Sequence, residues 1–208
     1  MKKTIYIVLL MIFPVLAMAQ ASGGQIVRKP KIYSDEKRNG KKSINSSSYK
    51  RINRSFDGII LGKSTKQDVI NYLKNRRIQY EIKTIAGSPT ITHTNNTYWG
   101  GVTWRYCSFM FFNEILYKIE YINGIKGEKL IESMNSDYSL LISQLSKKYN
   151  NCLKRNEKNS EKDCCYFEDE RTTVELEKAH KDSFYFISIS YWDKKLFNEV
   201  ALKSIDDL

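Results

Sequence analysis

Between Trp104 and Ile122 the side chains alternate in character with a period of two, interrupted only by Asn113-Glu114. Arg105, Cys107, Phe109 and Phe111 share one face, and Trp104, Tyr106, Ser108, Met110 and Phe112 take the other. Beyond the two turn residues, Ile115, Tyr117, Ile119 and Tyr121 again share a face. This is a strand pattern rather than a helical one. A two-residue connection joins only antiparallel neighbours, because a parallel pair needs a crossover of about a dozen residues. The segment therefore commits the chain to an antiparallel sheet and excludes a doubly wound parallel one.

The flanking sequence extends that sheet and adds helices. Ser64 or Thr65, with Gln67 or Asp68 as the capping-box partner, opens a helix whose apolar face is Val69, Ile70, Leu73 and Tyr72. Arg76-Arg77 suits its C-terminal end. Ile78, Tyr80 and Ile82 alternate as a half-buried strand, Gly87 and Pro89 interrupt it, and a further strand is expected within Thr90 to Tyr98 before the turn at Gly100-Gly101. Asn123-Gly124 is expected to end the hairpin. A long amphipathic helix follows, marked by Leu130, Ile131, Met134, Tyr138, Leu141, Ile142, Leu145 and Tyr149. A polar loop spans Asn150 to Lys162. Three strands are then expected, Cys164 to Glu168, Thr172 to Glu177 and Phe184 to Trp192, with Asp169-Glu170-Arg171 turning the first into the second. Leu196, Phe197, Val200, Ala201 and Ile205 suggest a last helix. Strand runs separated by helices predict an α+β fold: antiparallel meanders with helices on one face. The pattern suggests a tandem repeat of one helix plus three or four strands, with halves 55–123 and 124–208.

The first 19 residues read as an export signal. Lys2 and Lys3 precede the apolar run Ile5 to Leu16, and Ala17-Met18-Ala19 is a small-x-small cleavage pattern, so cleavage is expected before Gln20. Twelve apolar residues are too few to cross a bilayer core, which takes about 20. No later stretch is apolar enough to span, and no cysteine stands at the cleavage site to take a lipid. The expectation is a periplasmic or extracellular protein with no transmembrane segment in its mature chain.

The formal net charge of +11 invites a nucleic-acid reading, and its distribution argues against one. Losing Lys2 and Lys3 leaves 32 basic and 23 acidic residues, a net of +9. Residues 25–54 hold ten basic and two acidic residues, whereas 55–208 hold 22 and 21. Residues 20–54 have no apolar period and are expected to be a disordered basic tether, either a spacer or an arm that touches anionic surfaces. Only Tyr33 and Tyr49 interleave aromatics there, too few for base stacking. The globular domain is expected over 55–208.

The run Phe56-Asp57-Gly58-Ile59-Ile60-Leu61-Gly62-Lys63-Ser64-Thr65, followed by Val69 and Leu73, resembles the opening of small envelope proteins such as the accessory lipoprotein of the outer-membrane β-barrel assembly machine. The helix-plus-sheet tandem is similar to the β-lactamase-inhibitor-protein fold. The Ala-Met-Ala-Gln junction and the Lys, Asn and Tyr content resemble exported proteins of Bacteroides-type bacteria. These resemblances imply an envelope protein, with an assembly-accessory role as one alternative; the chain departs from the lipoprotein pattern in lacking the lipidation cysteine.

Four cysteines in an exported chain make disulfides plausible. Bonding adjacent Cys164 and Cys165 would be strained, so the expected options pair Cys152 with Cys164 or Cys165, leaving Cys107 either to bond the other or to stay a buried thiol. No C-x-x-C is present and the two histidines lie far apart, so no zinc site, and no other metal or cofactor, is expected. His93 and His180 both read as exposed; a Cys107–His pair is the one nucleophilic arrangement the composition permits, and nothing local supports it. Glu168-Asp169-Glu170 reads as a solvated turn. G-x-S-x-G, the P-loop and H-E-x-x-H are lacking, so no catalytic residue is named. The remaining candidates are aromatic. Trp99, Trp104, Tyr106, Tyr117 and Tyr121 are expected to place some rings on the sheet face away from the helices, as a binding surface. The reading is a non-catalytic exported module of the cell envelope that binds a protein, glycan or envelope component. The alternatives are a secreted hydrolase with a site assembled across the fold, and an envelope-assembly accessory factor.

Overall fold

The structure is a computed structural model that describes residues 51–85, 87–126, 131–150, 153–158, 162–181 and 184–206. A short hairpin, β1 (Ser55–Phe56) and β2 (Ile59–Ile60), leads into α1 (Lys66–Asn75). Thr65 caps α1 through a capping box with Asp68, as the sequence indicates: each side chain bonds the other residue's backbone N–H. There follow β3 (Glu81–Ile85), β4 (Ser88–His93), the small hairpin β5 (Thr97–Trp99) and β6 (Val102–Trp104), then β7 (Tyr106–Phe112) and β8 (Ile115–Lys126). After α2 (Ile131–Lys148) come β9 (Leu153–Lys158), β10 (Lys162–Glu168), β11 (Thr172–Lys181) and β12 (Phe184–Asp193), and α3 (Lys194–Asp206) ends the description. Eight of the strands form one antiparallel sheet in the order β3-β4-β7-β8-β12-β11-β10-β9. Each helix α1 and α2 thus precedes four strands of the main sheet, and the last strands of the two sets, β8 and β12, pair at its centre. The fold is α+β and antiparallel.

Several boundaries differ from the pattern. Asn113 and Glu114 both take positive φ, 47° and 63°, which makes the two-residue turn expected of this hairpin. Asn123-Gly124 does not end β8. The Asn123 side chain accepts from Arg105 N and donates to Thr103 O, which ties the β6–β7 kink to the strand. At Gly124 any Cβ would overlap the Phe184 ring of β12. Pro89 lies inside β4 rather than breaking it. It opposes Thr84 on β3, while pairing with β7 begins only at Thr90, so its missing N–H costs no bond on that side. The expected polar loop holds edge strand β9, whose lysine-rich sequence LKRNEK hides its strand character and suits an edge.

Register sorts the side chains of the sheet into two contrasting faces. Ile91, Phe109, Ile119, Tyr191, Val174 and Phe167 are cross-strand partners in one row. They are buried in one core with Val69 and Leu73 of α1 and Met134, Tyr138, Leu141 and Leu145 of α2. The parallel row on the other face is Thr92, Ser108, Glu120, Ser190, Glu175 and Tyr166, which is polar throughout. The placement of all helices on one face needs correction, because Phe197 of α3 packs on Trp192 with ring centroids 4.5 Å apart. Trp192 alternates with core residue Tyr191, so α3 covers part of the polar face.

The tether boundary also moves. Ile52 and Arg54, assigned by composition to the tether, pack into the domain: Ile52 is buried, and its N–H donates to Asp169 at 2.7 Å. The Arg54 guanidinium donates to the Leu61 and Arg171 carbonyls and Thr172 Oγ1, and pairs with Asp193. Gly62, at φ 75°, permits this clasp, since a Cβ there would overlap Arg54 Nη2 and Asp193 Oδ2. A pattern-free, charged stretch does not reveal that its last arginine is a buried anchor. Residues 1–50 lie outside the described residues. Among the described residues, no helix is long and apolar enough to cross a membrane.

Candidate functional site

On the helical side of the sheet, a cavity of about 480 Å³ opens between seven separate stretches of chain. Phe56 and Asp57 from the first hairpin and Tyr72 and Arg76 from the end of α1 form one wall. The segment Asn96–Trp99 forms the opposite wall, with Lys148 and Tyr149 at the C-terminal end of α2 closing the side. The floor is sheet: His93, Cys107, Phe109, Tyr121 and Tyr191. Gly100 and Gly101, both at positive φ, turn the β5–β6 hairpin so that it folds against α2, and a Cβ on Gly100 would press on Leu141. Trp104 anchors the hairpin from beneath. It is fully buried and its indole N–H donates to the Trp99 carbonyl at 3.0 Å.

Eight of the eighteen lining residues are Phe, Tyr or Trp, and several of their rings brace one another. Trp99 lies parallel to Tyr121, with centroids 6.3 Å apart and 6° between planes, and meets Tyr191 edge-on at 5.8 Å. Phe56 also packs edge-on with Tyr191 at 4.8 Å, and the Tyr191 phenol lies against that of Tyr149. Such contacts fix ring positions before anything binds. Burial pushes the Tyr121 and Tyr191 phenols well above their ordinary range, so both remain neutral hydroxyls. Asp57 is engaged by Arg76 at 3.3 Å and accepts from the Tyr72 hydroxyl at 3.4 Å. Lys148 Nζ stands 5.9 Å from the Trp99 ring centre and 5.3 Å from that of Tyr149. Among the described residues no carboxylate pairs with it, and desolvation holds its ammonium below the usual lysine range.

His93 departs from its exposed expectation. It is 5% exposed, tilted against Phe109 at 6.1 Å, and its Nδ1 has no hydrogen-bond partner among the described residues. Desolvation pushes the imidazole below its ordinary value, against a hydrogen bond to the Asn95 backbone that raises it, so the ring is neutral near pH 7. His93 is the direct cross-strand partner of Cys107, and both line the cavity. This brings together the pair that composition alone permitted. Its electrostatics run against nucleophilic chemistry. Burial and then the Glu120 carboxylate push the Cys107 thiol well up, whereas a nucleophilic cysteine needs a thiol pulled down by a neighbouring cation. No hydrogen bond links the two side chains.

Of the aromatic candidates, Trp99 and Tyr121 meet in the cavity and Trp104 supports it from behind. The other two lie on the polar face: Tyr106 is the partner of Ile122, and the Tyr117 hydroxyl donates to Ser88 Oγ at 3.3 Å. Phe56, Tyr72, His93, Lys148, Tyr149 and Tyr191 are the site residues that sequence pattern missed. Tyr72 and Tyr149 did read as apolar helix positions, but no local signal marks seven distant segments as one cavity.

The polar face carries a hydrogen-bonded network. Lys118 Nζ donates to Glu120 at 2.9 Å, and Ser190 Oγ donates to the same carboxylate oxygen at 2.9 Å. Burial is the largest single influence on Lys118, but the attraction and hydrogen bond of Glu120, with Glu175 and Tyr117, together outweigh it and its ammonium sits above the usual range. Cys164, Glu175 and Glu177 offer three donor atoms within 4.8 Å of one another, the one group among the described residues able to hold a metal ion. The set is already compensated. Lys162 sits 3.7 Å from Glu177, Lys118 attracts Glu175, and burial keeps the Cys164 thiol protonated, pushed up to about 12. Glu168, expected in a solvated turn, is buried and paired with Lys194 at 3.0 Å, while Asp169 accepts from the N–H groups of Arg171 and Thr172.

Cys107, Cys164 and Cys165 form no disulfide. Four strand spacings separate β7 from β10, roughly 19 Å, which excludes bonding Cys107 to either neighbour on β10. Alternation also sends Cys164 and Cys165 to opposite faces. Cys152 lies outside the described residues, though Leu153 pairs with Glu168, four residues along from Glu157, the partner of Cys164. Compared with protein-family models, curated proteins and solved structures, the chain matches none.

Proposed function

We propose that this chain is a non-catalytic exported binding module of the bacterial envelope, and that its ligand is a small molecule held in the aromatic cavity. The observation that carries the reading is the cavity itself. Its size is that of ordinary ligand pockets, its walls are preset rings, and a few polar groups converge on it. An aromatic floor of neutral phenols, a neutral imidazole and a protonated thiol supplies contact and hydrogen bonding without an activated nucleophile. The export signal ahead of Gln20 supports placement in the periplasm or outside the cell. The helix-plus-four-strands order of each half supports the tandem-repeat reading.

The test is native mass spectrometry of the mature protein recovered from an exporting bacterium, alongside Trp99→Ala and Tyr191→Ala variants that remain folded by circular dichroism. The expected spectrum shows an added mass on the parent that both variants lose. A parent that never carries added mass, even after incubation with a small-molecule extract of the envelope, contradicts the proposal. So does steady turnover of chromogenic ester, glycoside or phosphoester substrates that His93→Ala or Cys107→Ala abolishes.

A further inference from the structure

The ionic character of the cavity narrows the ligand class. Its charged lining residues are Asp57, Arg76 and Lys148, so with a neutral imidazole the lining carries one net positive charge. Asp57 and Arg76 satisfy each other at the rim. Lys148 is the cation left over, seated above Trp99 and Tyr149 with no carboxylate paired to it among the described residues. A cage of rings is otherwise a site for a ligand cation, but here the protein's own ammonium already stands 5.9 Å from the Trp99 ring centre and 5.3 Å from that of Tyr149, and a second cation would meet repulsion. At the floor, His93 is 5% exposed and its Nδ1 is buried, so the imidazole offers the cavity no charge.

We infer that the cavity binds a flat, ring-bearing organic anion: its ring system rests among the aromatic lining beside Trp99 and Tyr121, and its anionic group meets Lys148. This deepens the small-molecule reading proposed above and rests on it. An aromatic carboxylate or sulfonate meets both requirements. A neutral sugar meets the ring contacts but leaves Lys148 unanswered.

Two dyes built on the same rings separate the elements of the inference. 1-Anilinonaphthalene-8-sulfonate carries a sulfonate and a bridging N–H; N-phenyl-1-naphthylamine has the N–H and no charge. Titrated into the mature protein at low ionic strength, the sulfonate is expected to bind one per chain and to quench indole emission through Trp99, an effect lost in Trp99→Phe. It should bind about tenfold more tightly than the neutral dye, the worth of one partly desolvated charged contact. Lys148→Gln should erase that advantage while leaving the neutral dye's affinity and the Tm unchanged, because Lys148 is an exposed rim residue. Equal binding of both dyes, unaffected by Lys148→Gln, overturns the anionic class and leaves the cavity reading standing. Failure of both dyes to bind, or several sulfonates per chain with Trp99 unaffected, overturns the inference and the cavity reading together.

Discussion

Replacing Arg54 by Met tests whether the domain begins where the structure puts it. The guanidinium is 14% exposed and its partner Asp193 is 9% exposed, so the ion pair is close to fully buried. Arg54 also supplies hydrogens to the Leu61 carbonyl, from Nε at 3.2 Å and Nη2 at 2.7 Å, and to the Arg171 carbonyl and Thr172 Oγ1 at 3.1 Å each. Methionine keeps the bulk but strands the Asp193 carboxylate. Breaking a buried pair by removing one member costs about 3–5 kcal/mol, mostly from the charge left behind. For a domain of this size each kcal/mol moves Tm by about 2–4 °C, so a loss of about 6 °C or more is expected. Asp193 Oδ1 also accepts from Leu196 N at 2.9 Å, capping α3, and Asn caps a helix about as well as Asp. Asp193→Asn therefore keeps the cap while discharging the site, and the double variant should recover much of the Arg54→Met loss. Urea denaturation followed by circular dichroism gives all four corners of the cycle. A cost below about 1 kcal/mol for Arg54→Met, or additive losses in the double variant, would show that Arg54 is tether rather than anchor.

Three further outcomes are expected. Removing residues 20–50 should leave Tm nearly unchanged, whereas removal through Arg54 also deletes the Ile52–Asp169 bond and the clasp and should lower it sharply; equal Tm values would refute the revised boundary. His93 is held below its ordinary value in the folded state, so the unfolded chain takes up the proton first as pH falls; stability should decline from about pH 6.5 downward, and His93→Gln should flatten that part of the urea-midpoint profile. A slope unaltered by the substitution would show the imidazole to be solvated. In a Cys152→Ser background, the remaining thiols should resist a thiol-reactive dye until the protein unfolds, since burial holds Cys107 and Cys164 protonated; prompt labelling of the native protein would mean that the sheet faces are open.

What sequence made legible was local. The Asn113-Glu114 turn and the Thr65–Asp68 capping box each depend on neighbours within a few residues, and each has its expected form. The Trp104–Ile122 alternation is broken at Arg105 and by the bulge between Met110 and Phe111, which sends Tyr117 to the polar face while Ile119 and Tyr121 stay in the core. What it concealed was set by distant partners. β9 is stabilised by pairing with β10 rather than by its own polar side chains. β8 runs through Asn123-Gly124 because Phe184 fills the space above the glycine. The cavity was half legible: Trp99 and Tyr121 could be named as aromatic candidates, yet the face they occupy follows from the register that aligns His93, Cys107 and Tyr121 in one row. Glu168 and His93 looked solvated because polar residues in turn-rich sequence usually are, and tertiary packing buried both.

The most direct test of the binding account is to map where a ligand lands. Amide chemical shifts of the mature, isotopically labelled protein, followed while an aromatic sulfonate or an envelope extract is added, report every backbone site at once. The account predicts saturable shifts confined to 53–57, 72–78, 93–99, 107–109 and 148–149, together with Tyr121 and Tyr191. Shifts concentrated instead on the polar face, at Lys118, Glu120, Glu175 and Ser190, with the cavity segments unmoved, would contradict it.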